Sequence, residues 1–387
     1  MRRADPMPIG PHAAASSRRA TRLSASISGF EAPPTRGASC LVGVLPGEGI
    51  GPEVVGGALA VLDALARGTG LRLDVHTGGD VGAGRGLSDE VADFCVRIFA
   101  AGGAILCGPA GGRFVYDLRT RFDLYCKLVP LRPSPALADA SILRPERLHD
   151  VDVLIVRENT GGLYAGPFGR REGGRVAYQE CAYSTDQVAR LVAVASDLAR
   201  RRRGRLAVVV KTGGIPAVSA LWREQAEAVA GGGAVALDVL EADNATFQLV
   251  ADPQAFDVIA APNLFGDVLA DAATVLLGSR GMSYSANFGP HRRAVYQTGH
   301  GAAHDLAGCD RANPVAQILS VAMMLRESFG LAEPARRIED AVESVLASGA
   351  RTADVAGPRS RVLGTRALAE RIAEEASEGP RARAEVS

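Results

Sequence analysis

Leu41-Val42-Gly43-Val44-Leu45-Pro46-Gly47-Glu48-Gly49-Ile50-Gly51-Pro52 passes from an apolar run through a glycine-dense turn into an amphipathic segment. It reads as a strand over 41–46, a tight turn, and a helix over 53–66. The unit then repeats in kind, with a strand at 71–76, a helix at 88–101 and a strand at 103–107. Strands at 151–156, 206–210, 234–241 and 258–261 are interleaved with helices at 186–199 and 218–229. A glycine-interrupted loop is expected at 278–289, followed by long apolar-periodic helices at 313–329 and 335–346. This alternation predicts an α/β fold on a largely parallel sheet, with no internal repeat. The turn at 47–51 is not a GxGxxG fingerprint placed for a dinucleotide, and no Walker lysine follows, so tight packing is its expected role and a standard Rossmann fold is not.

At 387 residues, 47% hydrophobic and 22% charged, the chain is a globular protein more readily built as two domains than as one. Its 43 basic and 43 acidic side chains cancel, which argues against a general nucleic-acid binder. The run Arg200-Arg201-Arg202-Arg203 follows an apolar periodic segment and reads as a helix C-terminus favoured by the helix dipole. Six scattered cysteines without a CxxC pair suit a reducing compartment, hence a cytoplasmic protein, and no run approaches a membrane span. Residues 1–39, rich in Ala, Ser, Arg and Pro, are expected to form a disordered extension. Their Arg-rich, acid-poor composition superficially suggests organelle targeting, but they hold no apolar core for a secretory signal.

Chemistry concentrates in Pro262-Asn263-Leu264-Phe265-Gly266-Asp267-Val268-Leu269-Ala270-Asp271. If the segment is helical from Gly266, Asp267 and Asp271 share one face a turn apart. Two such carboxylates repel unless a cation or basic group lies between them, and oxygen ligands suit Mg2+ or Mn2+. A solvated acidic helix face is the alternative.

Seven separated motifs, in order, resemble the β-decarboxylating dehydrogenases, the family of isopropylmalate, isocitrate, homoisocitrate and tartrate dehydrogenases. They are LPGEGIGPEV from Leu45, DLR from Asp117, DLYCKLVPLRP from Asp123, VRENTGGLYAG from Val156, PNLFGDVLAD from Pro262, HGAAHDLAG from His300 and RANPVAQILSVAMML from Arg311. The resemblance spans about Leu41 to Leu368. It implies a two-domain isopropylmalate/isocitrate dehydrogenase-like fold, with a cofactor-binding domain over 40–124 plus 279–387 and a substrate, metal and dimerisation domain over 125–278. It also implies a homodimer, possibly a tetramer, whose active sites are shared between copies.

By the same resemblance Asp267, Asp271 and, from the neighbouring copy, Asp243 hold the metal. Tyr164 protonates the enolate left after decarboxylation. Lys211, also from the neighbour, takes the hydroxyl proton, and a pKa lowered by the metal and a closed cleft would suit it to that task. Arg119 and Arg157 hold substrate carboxylates, a task suited to the bidentate guanidinium. His300, Gly301, Asp305 and Asn313 form the cofactor loop. Asp305 takes the ribose hydroxyls, and its charge favours NAD over NADP. His300 and His304, four residues apart, could mimic a zinc pair but lack the other ligands.

The chain departs from the family at telling places. Val129 stands where a third carboxylate-binding arginine is expected, with Lys127 two residues earlier and on the same side of an extended strand, able to carry the lost charge. Gly213 replaces a common asparagine, His304 a common proline and Gln297 a common glutamate, and the segment 112–117 is short. Val115 and Tyr116 fall where relatives face the substituent that distinguishes their substrates. The expectation is an oxidative decarboxylation of a malate-like 2-hydroxy acid of specialised structure. A dehydrogenase that does not decarboxylate, and a non-catalytic or regulatory subunit, are the competing readings.

Overall fold

The computed structural model describes residues 39–79, 81 and 86–378, so all of the expected N-terminal extension except Ser39 lies outside the described residues. Among the described residues there are twelve α-helices and fourteen strands, two of them a pair of two-residue strands at Ala350–Arg351 and Arg361–Val362. β1 (Cys40–Leu45), α1 (Gly51–Thr69), β2 (Leu73–Thr77), α2 (Asp89–Ala100), β3 (Ala104–Cys107) and α3 (Phe114–Arg121) come first. β4 (Cys126–Leu131), the short α4 (Pro145–Leu148) and β5 (Val153–Glu158) precede a hairpin, β6 (Phe168–Arg171) with β7 (Val176–Gln179). Next are α5 (Thr185–Arg200), β8 (Arg205–Val210), α6 (Pro216–Ala230), β9 (Ala236–Glu241), α7 (Ala242–Ala251) and β10 (Val258–Ala261). α8 (Asn263–Ala272), α9 (Thr274–Leu277), β11 (Tyr284–Phe288), β12 (Ala294–Thr298), α10 (Val315–Glu327), α11 (Ala332–Ala347) and α12 (Thr365–Glu378) follow.

Ten strands form one sheet in the order β2-β1-β3-β12-β11-β4-β5-β10-β8-β9. β2, β1, β3 and β12 pair in parallel, as do β5, β10, β8 and β9, while the central β12-β11-β4-β5 pairs are antiparallel. The sheet is therefore mixed at its centre, not parallel throughout. Strands β3, β4, β5 and β10 are buried on both faces, as apolar runs covered by helices must be. α1 packs on α10 and α12 at one half of the sheet, α5 and α6 on the strands of the other. Ser88 caps α2, and Ser184 with Gln187 forms a capping box that starts α5.

The expected loop at 278–289 is corrected: it contains β11. Ser285 and Asn287 made this stretch look irregular, yet both are buried and satisfied across the sheet. Ser285 donates to the Gln297 carbonyl at 3.2 Å, and the Asn287 amide donates to Gln297 Oε1 at 2.9 Å. α8 likewise starts at Asn263, three residues before the expected Gly266.

The arginine run does close α5, and it also clamps two acids. Arg202 Nε donates to Asp257 at 2.8 Å and its Nη2 to Asp152 at 2.9 Å, while the Arg203 backbone N–H reaches Asp257 at 2.8 Å. Asp257 has no exposed side-chain surface. Replacing one partner of a buried pair leaves the other charged and desolvated. Asp257→Ala should therefore destabilise the fold by about 3–5 kcal/mol, measured as a lowered midpoint in urea with an unchanged slope.

Candidate active site

Antiparallel pairing sets the start of β4 beside the end of β5, and parallel pairing brings the end of β10 alongside, so Lys127 lies opposite Arg157 and Arg157 opposite Ala261. α8 then leaves β10 directly over these ends. Sites in α/β sheets gather at such carboxyl-terminal edges.

Arg157 is 1% exposed. Its Nε and Nη2 donate to Asn263 Oδ1 at 3.0 and 2.7 Å, and its Nη1 pairs with Asp267. Asn263 is itself held, donating its side-chain amide to the Gly161 carbonyl at 2.9 Å and its backbone N–H to the Tyr183 hydroxyl at 2.8 Å. A Cβ on Gly266 would meet Arg157 Cγ at 2.8 Å and Cβ at 2.9 Å, so only glycine lets α8 lie this close.

Arg119, in the last turn of α3, is buried without an ion pair among the described residues, and its Nε has no hydrogen-bond partner. Burial, then the neighbouring Arg157, pushes its pKa down to about 9. Lys127 is also buried and unpaired among the described residues. Burial and then Arg119 and Arg157 hold it well below the ordinary lysine range, with Asp267 and Asp271 acting the other way. Val129 is fully within the apolar core. Arg119, Lys127 and Arg157 thus form one basic cluster, with Asp267 and Asp271 as its acidic neighbours.

Tyr164 donates from its hydroxyl to Asp267 Oδ2 at 3.0 Å. Burial, then Asp267, raises its pKa to about 12, so the phenol keeps its proton at neutral pH. The Tyr116 ring stands edge-on to Tyr164 at 5.5 Å and beside the Arg119 guanidinium at 5.5 Å. Burial opposes ionisation of Asp267, but Arg157, Lys127 and Tyr164 outweigh it and keep its pKa below the ordinary range. Asp271, one turn on, pairs with Arg280. Two carboxylates of this kind, one held ionised, suit a hard divalent cation.

Lys211 and Asp243 sit elsewhere. Lys211 Nζ donates to Asp243 at 2.8 Å on an exposed rim, and among the described residues neither pairs with Asp267 or Asp271. No group of three or more metal-ligating side chains of His, Cys, Asp or Glu forms within the chain among the described residues. The Lys211 pKa is raised by its hydrogen bond to Asp243, the opposite of the expected fall, because in the single chain this side chain is solvated and ion-paired.

The loop between β12 and α10 carries His300, Gly301, Asp305 and Asn313. The turn at 47–51 packs on it: the Ile50 N–H donates to the Ala302 carbonyl at 2.8 Å, and a Cβ on Gly49 (φ +57°) would lie 2.0 Å from that oxygen. Asn313 starts α10 by accepting from the Val315 N–H at 3.0 Å and donates to Asp354 at 3.1 Å. Burial lowers the pKa of His300, whose buried Nε2 has no hydrogen-bond partner among the described residues. Asp305 is exposed. Sequence reasoning overlooked Asp354, which no motif marks, and Asn263, which could have been found because it stands four residues before Asp267 on the same helix face.

Buried basic side chains, a tyrosine that keeps its proton and two partly exposed carboxylates thus meet at the strand ends of an α/β sheet, where small-molecule enzyme sites gather. Residues 41–372 match the family described as isocitrate/isopropylmalate dehydrogenase. The 3-isopropylmalate dehydrogenase of Gloeobacter violaceus is 38% identical over 350 residues, covering 86% of this chain and 96% of its own. That of Pseudomonas fluorescens is 41% identical over 352 residues, covering 85% and 96%. The crystal structure of isocitrate dehydrogenase from Methylococcus capsulatus superposes with a TM-score of 0.77 at 31% identity, covering 87% of this chain and 99% of that one. The chain belongs to the isocitrate/isopropylmalate dehydrogenase family. It is an enzyme of the β-decarboxylating dehydrogenase class, with that family's α/β fold.

Because Gly266 sets the Arg157 guanidinium, Gly266→Ala should lower kcat/KM on the order of 10²-fold. Steady-state kinetics would show it, with an urea midpoint that moves far less than for Asp257→Ala.

Proposed function

We propose that the enzyme oxidises and decarboxylates a malate-like 2-hydroxy acid, using NAD and Mg2+ or Mn2+. The observation that carries this reading is the pair of buried, unpaired cations, Arg119 and Lys127, beside an Arg157 that is already fixed. Substrate carboxylates are the missing partners. Arg119 and Arg157 bind them, and Lys127 supplies the charge that Val129 cannot. Lys211 removes the hydroxyl proton, and Tyr164, protonated at neutral pH, returns a proton to carbon once CO2 has left. Asp267, Asp271 and Asp243 of a second copy would hold the metal, which would supply Lewis-acid chemistry, and NAD would supply the hydride acceptor.

The curated relatives act on 3-isopropylmalate by name. Here Tyr116, Arg113 at 5.3 Å from its ring and Phe168 at 5.9 Å from the same guanidinium border the substituent side. That aromatic and basic border supports a specialised substrate. Asp305 would repel a 2′-phosphate, which supports NAD over NADP, at a loop also containing His300, Gly301 and Asn313. The chain works as two domains, 40–124 plus 279–387 and 125–278, and as a homodimer. Phe247 on α7 is 70% exposed and Val268 on α8 53% exposed, beside Asp243 and Asp267, leaving apolar surface for a second copy. The cysteines are free thiols and no described helix is long and apolar enough to cross a membrane, in keeping with a reducing, cytoplasmic setting.

Assay of the purified protein with NAD, Mn2+ and a panel of 3-substituted malates should give NADH and CO2 in equal amounts, abolished by chelation. NADH without CO2 would instead make it a simple dehydrogenase, and no turnover with no NAD binding would remove the catalytic reading.

Sharing of the site is tested separately. Tyr164→Phe and Lys211→Ala chains, each inactive alone, should recover about a quarter of the wild-type rate when unfolded and refolded together in equal amounts, since half the dimers then carry one intact site. Absence of recovery would overturn the sharing of each site between two copies.

A further inference from the structure

A second cavity, of about 600 Å3, lies at the opposite end of the central strands from the pocket of Arg157. Arg132, just beyond the end of β4, lines it, and Lys127 near the start of β4 is roughly 16 Å away at the rise of a β-strand. The volume is in the range of small-molecule sites, and so is the make-up of the wall: mostly apolar with a few polar groups. Met282, Leu319, Val342 and Leu346 supply the apolar side.

The polar side is acidic. Asp150, Asp152, Glu339, Asp340 and Glu343 line the cavity against Arg132 and His149. Some of that charge is already compensated: Asp152 by Arg132 and Arg202, and Glu339 by Arg326. Glu343 differs. It accepts from the Ser134 hydroxyl at 2.7 Å and the Ala136 backbone N–H at 3.0 Å, both neutral donors, and has no cationic partner among the described residues. Tyr284 also lines the wall, and its hydroxyl makes no hydrogen bond among the described residues. An apolar chamber with an uncompensated carboxylate and an open phenol lacks one kind of occupant: a compact apolar body bearing a positive charge.

We propose that this cavity is a binding site for a small hydrophobic amine, separate from the reaction centre. The apolar body rests on Met282, Leu319, Val342 and Leu346, the ammonium faces Glu343, and the Tyr284 hydroxyl offers a second polar contact. The site draws on α10, α11 and β11 on one side and on the segments flanking β4 and β5 on the other. An occupant therefore ties together elements whose far ends carry Lys127, Arg157 and Asn287. It binds the folded chain and not the unfolded one, so it raises the melting temperature.

The test uses benzylamine as probe and benzyl alcohol as its uncharged counterpart, with thermal melts and calorimetry on the full chain. Benzylamine should bind one to one and raise the melting temperature, with the alcohol at least 10-fold weaker. Glu343→Gln should weaken the amine by about 10- to 100-fold. Ala138→Phe, which adds bulk at a half-buried lining position, should abolish binding while the variant still melts cooperatively. Leu319→Phe replaces it should that chain fail to fold. No benzylamine binding at millimolar concentration, equal binding of the alcohol, or binding undisturbed by the filling variant would each overturn the proposal. None of these readouts depends on turnover, so failure here leaves the catalytic reading untouched, and the reverse holds too.

Discussion

The contact of Arg157 with Asn263 and Asp267 is the constraint on which the site depends. A guanidinium 1% exposed at the end of a β-strand is intolerable unless its donors are met. The first turn of α8 meets them, and only because Gly266 lets the helix lie against the arginine's own stem. Asp267 is thereby oriented, and with it the Tyr164 hydroxyl. One ion pair thus couples strand β5, helix α8 and the Tyr164 hydroxyl. The same helix carries Asp271 one turn away, so any shift of α8 would disturb both aspartates and the tyrosine contact together.

Around that fixed pair the protein holds cations it does not neutralise. Among the described residues Arg119 and Lys127 have no ion-pair partner, and desolvation together with the neighbouring Arg157 lowers the pKa of both. Val129 differs. Its side chain joins the apolar core, while the lysine two residues earlier on the same strand face stands opposite Arg157. The strand therefore presents its one basic side chain beside Arg157, with residue 129 given over to packing.

Much of this was legible in the sequence because apolar periodicity and short motifs report local structure directly. The strands from Val153 to Glu158 and from Val258 to Ala261 and the helices beside them follow from their residues alone. What escaped was what depends on distant partners. β11 looked like a loop because Ser285 and Asn287 are polar, and only Gln297 on the adjacent strand makes them suitable for burial. The antiparallel centre of the sheet has no local signature either. In the site, Asp267 and Asp271 could be paired by spacing, but Asp354 meets Asn313 through folding alone. The Lys211–Asp243 pair was expected to reach the other aspartates from a neighbouring copy, and within one chain its two members meet each other.

The order of strands has a consequence for how the chain is made. β4, β5, β8, β9 and β10 are contiguous in sequence as well as in the sheet, so this half can close as soon as it is synthesised. The other half cannot. β3, with the apolar run Ala104-Ile105-Leu106-Cys107, pairs on one edge with β1 but waits for Ala294–Thr298 to cover its second edge. An apolar open edge is a template for intermolecular pairing. During translation β3 therefore keeps one apolar edge without its native partner until Ala294–Thr298 has been made, about 190 residues later in the chain.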